Sequence, residues 1–157
     1  MGSASSTAVT APSTAWGWPT YPQAPVITAF EKPAQKWSPG HRGVDLGLHD
    51  DAVLAPQEGT VVFSGKVVDR TVITIEHPDG KRSSFEPVTS PLPRGVTVHK
   101  GEKIARVDQH IHHCSVQCVH WGVREGKGKD AEYLNPMSLL GNEEPSVLLP
   151  IPDDFAA

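Results

Sequence analysis

Short runs of β-branched and aromatic residues, broken by turn signals, fill the middle of the chain and predict strands rather than helices. The runs fall at 53–55, 60–65, 67–68 and 70–76. In the last, Arg70-Thr71-Val72-Ile73-Thr74-Ile75-Glu76, polar and apolar positions alternate, as in a strand with one face on a core. Pro78-Asp79-Gly80 reads as a hairpin turn, so Arg82-Ser83-Ser84-Phe85 is expected to return antiparallel to residues 72–75. Residues 96–98 and 100–107 form another turn-and-strand unit, and 119–124 the last strand. No segment keeps helical periodicity over three turns; only 135–140, with its proline, suggests a short helix. No internal repeat is present. The fold class expected is mainly β, an antiparallel sheet with few or no helices.

Composition supports this picture. In 157 residues, 38% are hydrophobic and 20% charged, while Gly 14 and Pro 15 are high, favouring short elements and many turns. The length suits one domain with a core of its own. Residues 1–20 are rich in Ser, Thr, Ala and Pro and are expected to be a flexible arm. Residues 21–142 would be the folded domain, and 143–157 an acidic, proline-containing tail. The net charge is -4 and the basic residues are scattered, which argues against nucleic acid as a partner. No apolar run approaches the length of a membrane span. Met1-Gly2-Ser3 before the Ser/Thr/Pro-rich lead reads as the place where an export signal was removed, so a secreted or cell-envelope location is expected. A monomer is expected.

The candidate chemistry lies in two short motifs. His41-Arg42-Gly43-Val44-Asp45 and, much later, Cys118-Val119-His120-Trp121-Gly122 supply two imidazoles and one carboxylate. That donor set suits zinc with one coordination position left open. His41 and Asp45 are four apart, so on an extended strand both would leave the same face. Gly40, Gly43 and Gly47 argue against a helix. A surface His–Asp hydrogen bond is the plainer reading of that pair alone. Cys114 and Cys118 are close enough for a disulfide around a tiny loop; the alternative is a reduced pair holding metal with His112, His113 or His120.

In this order, around a β-rich middle, the pieces resemble the lysostaphin-like, or LytM, zinc endopeptidases, which cut peptides of the bacterial cell wall. The resemblance covers about 39–140. It rests on Gly40-His41-Arg42-Gly43-Val44-Asp45-Leu46, Val53-x-Ala55-x-x-x-Gly59-x-Val61, Ile75-Glu76-His77-Pro78-Asp79-Gly80, Gly101, Val119-His120-Trp121-Gly122 and Tyr133-Leu134-Asn135-Pro136. It implies a groove across one face of the sheet, one Zn(2+) held by His41, Asp45 and His120, and cell-wall peptide as the substrate. The sequence departs from the family pattern at two catalytic histidines. Cys118 stands at the first position of the closing His-x-His, and Pro87 replaces the histidine expected after the central hairpin. Proline has no side-chain donor or acceptor, and general acid–base help is worth about 10²- to 10⁴-fold.

His113 and Glu86 are the candidates to substitute for the missing histidines; His110 and His112 are weaker ones. Cys118 as a thiolate would be a fourth zinc ligand, whereas a disulfide to Cys114 leaves the site open and orients the last strand. The enzyme reading is a zinc metallopeptidase of weakened activity. Its rival is a degenerate metal-binding module that recognises peptidoglycan or regulates a partner hydrolase. A structural zinc site on Cys114, Cys118 and His120 is a third reading, which orphans His41 and Asp45. Trp121 is expected in the core, Trp37 in the groove wall or packed, and His49, His77 and His99 in solvent. Arg42 and Arg124 are candidates to meet a substrate carboxylate.

Overall fold

The structure, a computed structural model, describes residues 15–21, 25–32, 40–48, 51–108, 117–126, 128 and 131–140. Eleven strands are found among them: β1 (Val26–Thr28), β2 (Val44–Gly47), β3 (Ala52–Leu54), β4 (Gly59–Val67), β5 (Arg70–Glu76), β6 (Arg82–Glu86), β7 (Val88–Thr89), β8 (Thr97–Val98), β9 (Lys103–Val107), β10 (Cys118–Glu125) and β11 (Glu132–Leu134). A 3-10 turn, Pro136–Leu139, follows β11, capped by the Asn135 side chain, which accepts from the Met137 N–H. The mainly antiparallel β class and the near absence of helix expected from the pattern are both present.

The larger sheet runs β1-β2-β10-β6-β5-β4-β8, with β11 added beside the second half of β10. The smaller is β3-β9-β7. Alternation along the strands divides the large sheet into two faces. Trp121 and Val123 of β10, Phe85 of β6, Ile73 and Ile75 of β5 and Val61 of β4 point one way, into a core shared with Val53, Ile104 and Val107 of the small sheet. Trp121 is fully buried and stacks on Phe85 with ring centroids 6.0 Å apart. The opposite face carries His120, Gly122 and Arg124 of β10 and Arg82, Ser84 and Glu86 of β6, all lining one open groove.

Two expectations about the core need correction. The flexible arm expected over residues 1–20 is anchored within 15–20: Trp16 is buried, with its backbone N–H bonded to the Leu139 carbonyl at 3.0 Å and its ring centroid 6.5 Å from that of Trp121. Residues 1–14 and the tail from 141 lie outside the described residues. The Ser/Thr/Pro composition hid an aromatic anchor: one indole removes enough apolar surface from water to hold a short segment that could not fold alone.

His77 was expected in solvent and is instead buried beside Trp16, 2% exposed, with ring centroids 4.4 Å apart. Its Nδ1 donates to the Glu58 carbonyl at 2.8 Å, which leaves Nε2 to accept from the Ser83 hydroxyl at 2.9 Å. Ser83 in turn accepts from the Trp121 indole N–H at 3.3 Å. The relay needs a neutral imidazole. Burial lowers the His77 pKa below 6.5, and Lys81 acts in the same direction, against the Glu58 hydrogen bond and Asp79, which raise it. The unfolded chain therefore binds a proton that the folded chain refuses, between pH 6.5 and the lowered folded value, and stability falls as pH drops through that window. Thermal melts at pH 7.5 and 5 are expected to show a lower midpoint at pH 5. In His77→Gln that His77-linked loss is expected to be absent; an identical loss in the variant would assign it to other groups.

Candidate metal centre

Three elements converge at one end of the groove. β2 and β10 pair antiparallel with His120 opposite Asp45, and β10 and β6 pair with His120 opposite Glu86. His120 thus sits at the centre of three neighbouring strands. His41 precedes β2 and forms an isolated bridge with Glu31, each residue's N–H bonding the other's carbonyl at 2.9 Å.

His41, Asp45 and His120 form the cluster: one ligand atom from each lies within 4.8 Å of the others. Asp45 is buried on β2, 5% exposed. Its Oδ1 accepts from His120 Nδ1 at 2.8 Å, and Oδ2 lies 3.4 Å from His41 Nε2. His41 Nδ1 is 2.9 Å from the Ala29 carbonyl, which can only accept. The Nδ1 of His41 is therefore the protonated nitrogen, and its Nε2 lone pair faces the carboxylate. The rings of His41 and His120 meet edge to face, centroids 5.0 Å apart.

His41 and Asp45 come together, but not along one extended strand. Four residues of extended strand would hold the two about 13 Å apart. The chain bends at Arg42-Gly43 before β2 begins, and the bend folds His41 back over Asp45. Gly43 permits it. A Cβ at that position would lie 2.4 Å from the Trp121 carbonyl and 2.7 Å from His120 Nε2, so only glycine lets this loop lie against β10.

Glu86 lines the groove opposite His120, and its carboxylate is held by the Arg70 guanidinium. His113 lies outside the described residues, as do His49, His110, His112, Cys114 and Trp37. Pro87 is buried where β6 gives way to β7, its carbonyl accepting from the Asp108 N–H at 2.9 Å. Cys118 is buried at the start of β10 and is not part of the cluster, so the fourth-ligand reading finds no support among the described residues; the structural-zinc reading also needs Cys114, which lies outside them. His99 is exposed, as expected. Sequence reasoning missed the Ala29 carbonyl and the Glu31 bridge, which have no side-chain signature.

Comparison with known proteins agrees with this architecture. The model of Peptidase family M23 matches residues 39–136, and the chain belongs to that family. It is a peptidase-type domain. The uncharacterized protein Rv2891 of Mycobacterium tuberculosis is 37% identical over 126 residues, covering 79% of this chain and 51% of that protein. The uncharacterized protein Mb2915 of Mycobacterium bovis matches to the same extent, so the chain spans about half the length of these curated relatives. Among solved structures, the catalytic domain of lysostaphin from Staphylococcus simulans has a TM-score of 0.61 at 16% identity, covering 73% of this chain and 90% of that one. A chain of the SpoIIQ-SpoIIIAH pore-forming complex has a TM-score of 0.65 at 20% identity, covering 82% and 92%. These two likenesses establish the fold.

Proposed function

We propose that this chain is an exported zinc metallopeptidase-type domain acting on peptide bonds of bacterial cell-wall peptidoglycan. The observation that carries the reading is the His41/Asp45/His120 cluster at the end of an open groove, in a chain of Peptidase family M23. Two imidazole nitrogens and a carboxylate oxygen fit zinc, and the Ala29 carbonyl fixes the His41 tautomer as outer-shell partners of zinc-bound histidines do. Zinc supplies a Lewis acid for a peptide carbonyl and lowers the pKa of water. The chain's own residues do the rest. Asp45 contacts both imidazoles and holds them together, the groove holds an extended peptide, and Glu86 is the carboxylate beside His120 able to accept a proton, held over the groove by Arg70.

Purified protein is expected to hold one zinc per chain by metal analysis and to release peptide fragments from cell-wall sacculi. Zinc loss without change would sink the metal reading. Glu86→Gln is expected to lower cleavage about 100-fold with zinc content unchanged, within the range for a lost general base; unchanged cleavage would move the proton transfer to another group, with His113 the next candidate.

A second reading is favoured by Pro87 and Cys118, which stand where the family pattern has catalytic histidines and are both buried. On that reading the domain binds metal and peptidoglycan, or regulates a partner hydrolase, without turnover; a solved chain of the same fold belongs to the SpoIIQ-SpoIIIAH complex. A zinc-loaded wild type that cleaves nothing would decide for it. We also assign a Cys114–Cys118 disulfide suited to an oxidising compartment, for which a thiol count of zero under denaturing conditions is the test.

A further inference from the structure

We infer that the far end of the groove is a carboxylate-reading subsite built on Arg124, with Arg82 and Arg42 beside it, and that it selects peptides carrying a free carboxylate. The inference rests on the peptidase-type reading for the identity of the ligand as a peptide, and on its own observations for the charge.

The chain is acidic overall, with net charge -4 and six arginines, yet Arg42, Arg70, Arg82 and Arg124 all line this one groove, where Glu86 is the single acidic residue among the described ones. Glu86 is paired with Arg70. Arg124 and Arg82 are directly opposite each other in the β10–β6 register, on the groove face. Like charges placed directly opposite across two strands repel and cost stability, an arrangement that an anion between them relieves. Glu76 balances Arg82 in part, at 3.4 Å, while Arg124 makes no ion pair among the described residues. Tyr133, opposite Arg124 in the β10–β11 pairing, carries the Arg42 guanidinium 5.6 Å above its ring centroid, which brings a third cation to the same end.

Register also fixes the distance. His120, Gly122 and Arg124 alternate onto one face, so Arg124 leaves the strand four residues beyond His120, about 13 Å along the groove. An extended peptide covers that span in about four residues. Between the two ends the floor is Gly122 and Ser84, small side chains that leave room for a backbone. The ligand defined by this geometry is an extended peptide whose carboxylate lies three or four residues from the bond held at the cluster. Arginine suits it because its fork of donors grips a carboxylate through two hydrogen bonds.

The test uses one cell-wall stem peptide prepared in two forms, with its carboxylates free and with them amidated, titrated into the protein by calorimetry at low salt. The free-acid form is expected to bind at least about 10-fold tighter, a margin that shrinks as salt rises. In Arg124→Gln the two forms are expected to bind alike, and thermal stability is expected to hold or rise, since a repelling cation has been removed; a merely structural arginine would lower it. Arg124→Lys is expected to restore part of the preference. Equal binding of both forms by wild type, or a preference that survives in Arg124→Gln, would overturn the proposal. His120→Ala separates this from the reaction: it is expected to abolish cleavage and keep the carboxylate preference, so a failure of the peptidase reading and a failure of the subsite give different results.

Discussion

Asp45→Ala is expected to empty the metal centre while leaving the fold in place. The carboxylate contacts both imidazoles, 2.8 Å from His120 Nδ1 and 3.4 Å from His41 Nε2, so its loss removes a ligand and the part that aligns the other two. Altering an outer partner of a zinc ligand alone costs about 10- to 100-fold in affinity, and removing a ligand that is also the organiser is expected to exceed the upper figure. Cleavage should fall below detection with it. Stability should barely change. Both histidines are partly exposed and can turn to water, so the change should stay within about 1 kcal/mol. Zinc retained after dialysis, read beside a denaturant melt, checks both halves. Asp45→Asn is the companion variant: it keeps the shape and removes the charge, and is expected to lose zinc as well. Full zinc content in either variant would move the metal centre elsewhere.

Gly43→Ala is expected to damage fold and site together. The added methyl would lie 2.4 Å from the Trp121 carbonyl, and 2.7 Å and 2.9 Å from the Nε2 and Cε1 atoms of His120. The nearest obstacle is backbone of a central strand, which cannot swing aside as a long side chain would. Either the loop lifts off β10, carrying His41 away from Asp45, or β10 shifts with Trp121 still locked between Phe85 and Trp16. Overpacking of this kind costs about 1 to 3 kcal/mol, and the upper end is expected here. Zinc affinity should fall as well, because both escapes separate the ligands. A denaturant melt and a zinc titration on the same sample would show it; Gly65→Ala, where an added Cβ meets only the far end of the Phe63 ring at 3.7 Å, is the tolerant control. Equal stability of the two variants would mean that the loop has room to spare.

Much of the sheet was legible in the sequence because period-two alternation is a local property. The 70–76 run and its return after Pro78-Asp79-Gly80 appear as β5 and β6 with Ile73 opposite Phe85 and Ile75 opposite Ser83. Trp121 could be assigned to the core and His120 to the other face from neighbouring positions on one strand. What was not legible depends on contacts distant along the chain. Trp16 lies in a stretch whose composition promises disorder, and its place is set by the Leu139 carbonyl and Trp121, more than a hundred residues away. His77 gives no local sign of burial; Glu58 and Ser83 decide it from two other segments. The short strand β1 was missed because its three residues are all exposed, so alternation had no core to record. At the site, the pairing of His41 with Asp45 was read from spacing as a strand, whereas a bend against β10 produces it. The opposition of Arg82 and Arg124 is invisible until register is known.

Strand β10 carries Trp121 on one side of the sheet and His120 on the other, as immediate neighbours. A slip of one residue against β2 or β6 would exchange the two sides, putting the indole into the groove and the imidazole into the core. Of these neighbouring registers the core accepts only the observed one, because the other would leave Trp121 in the groove. The face that His120 presents to the groove is thus set by the burial of a tryptophan outside the cluster.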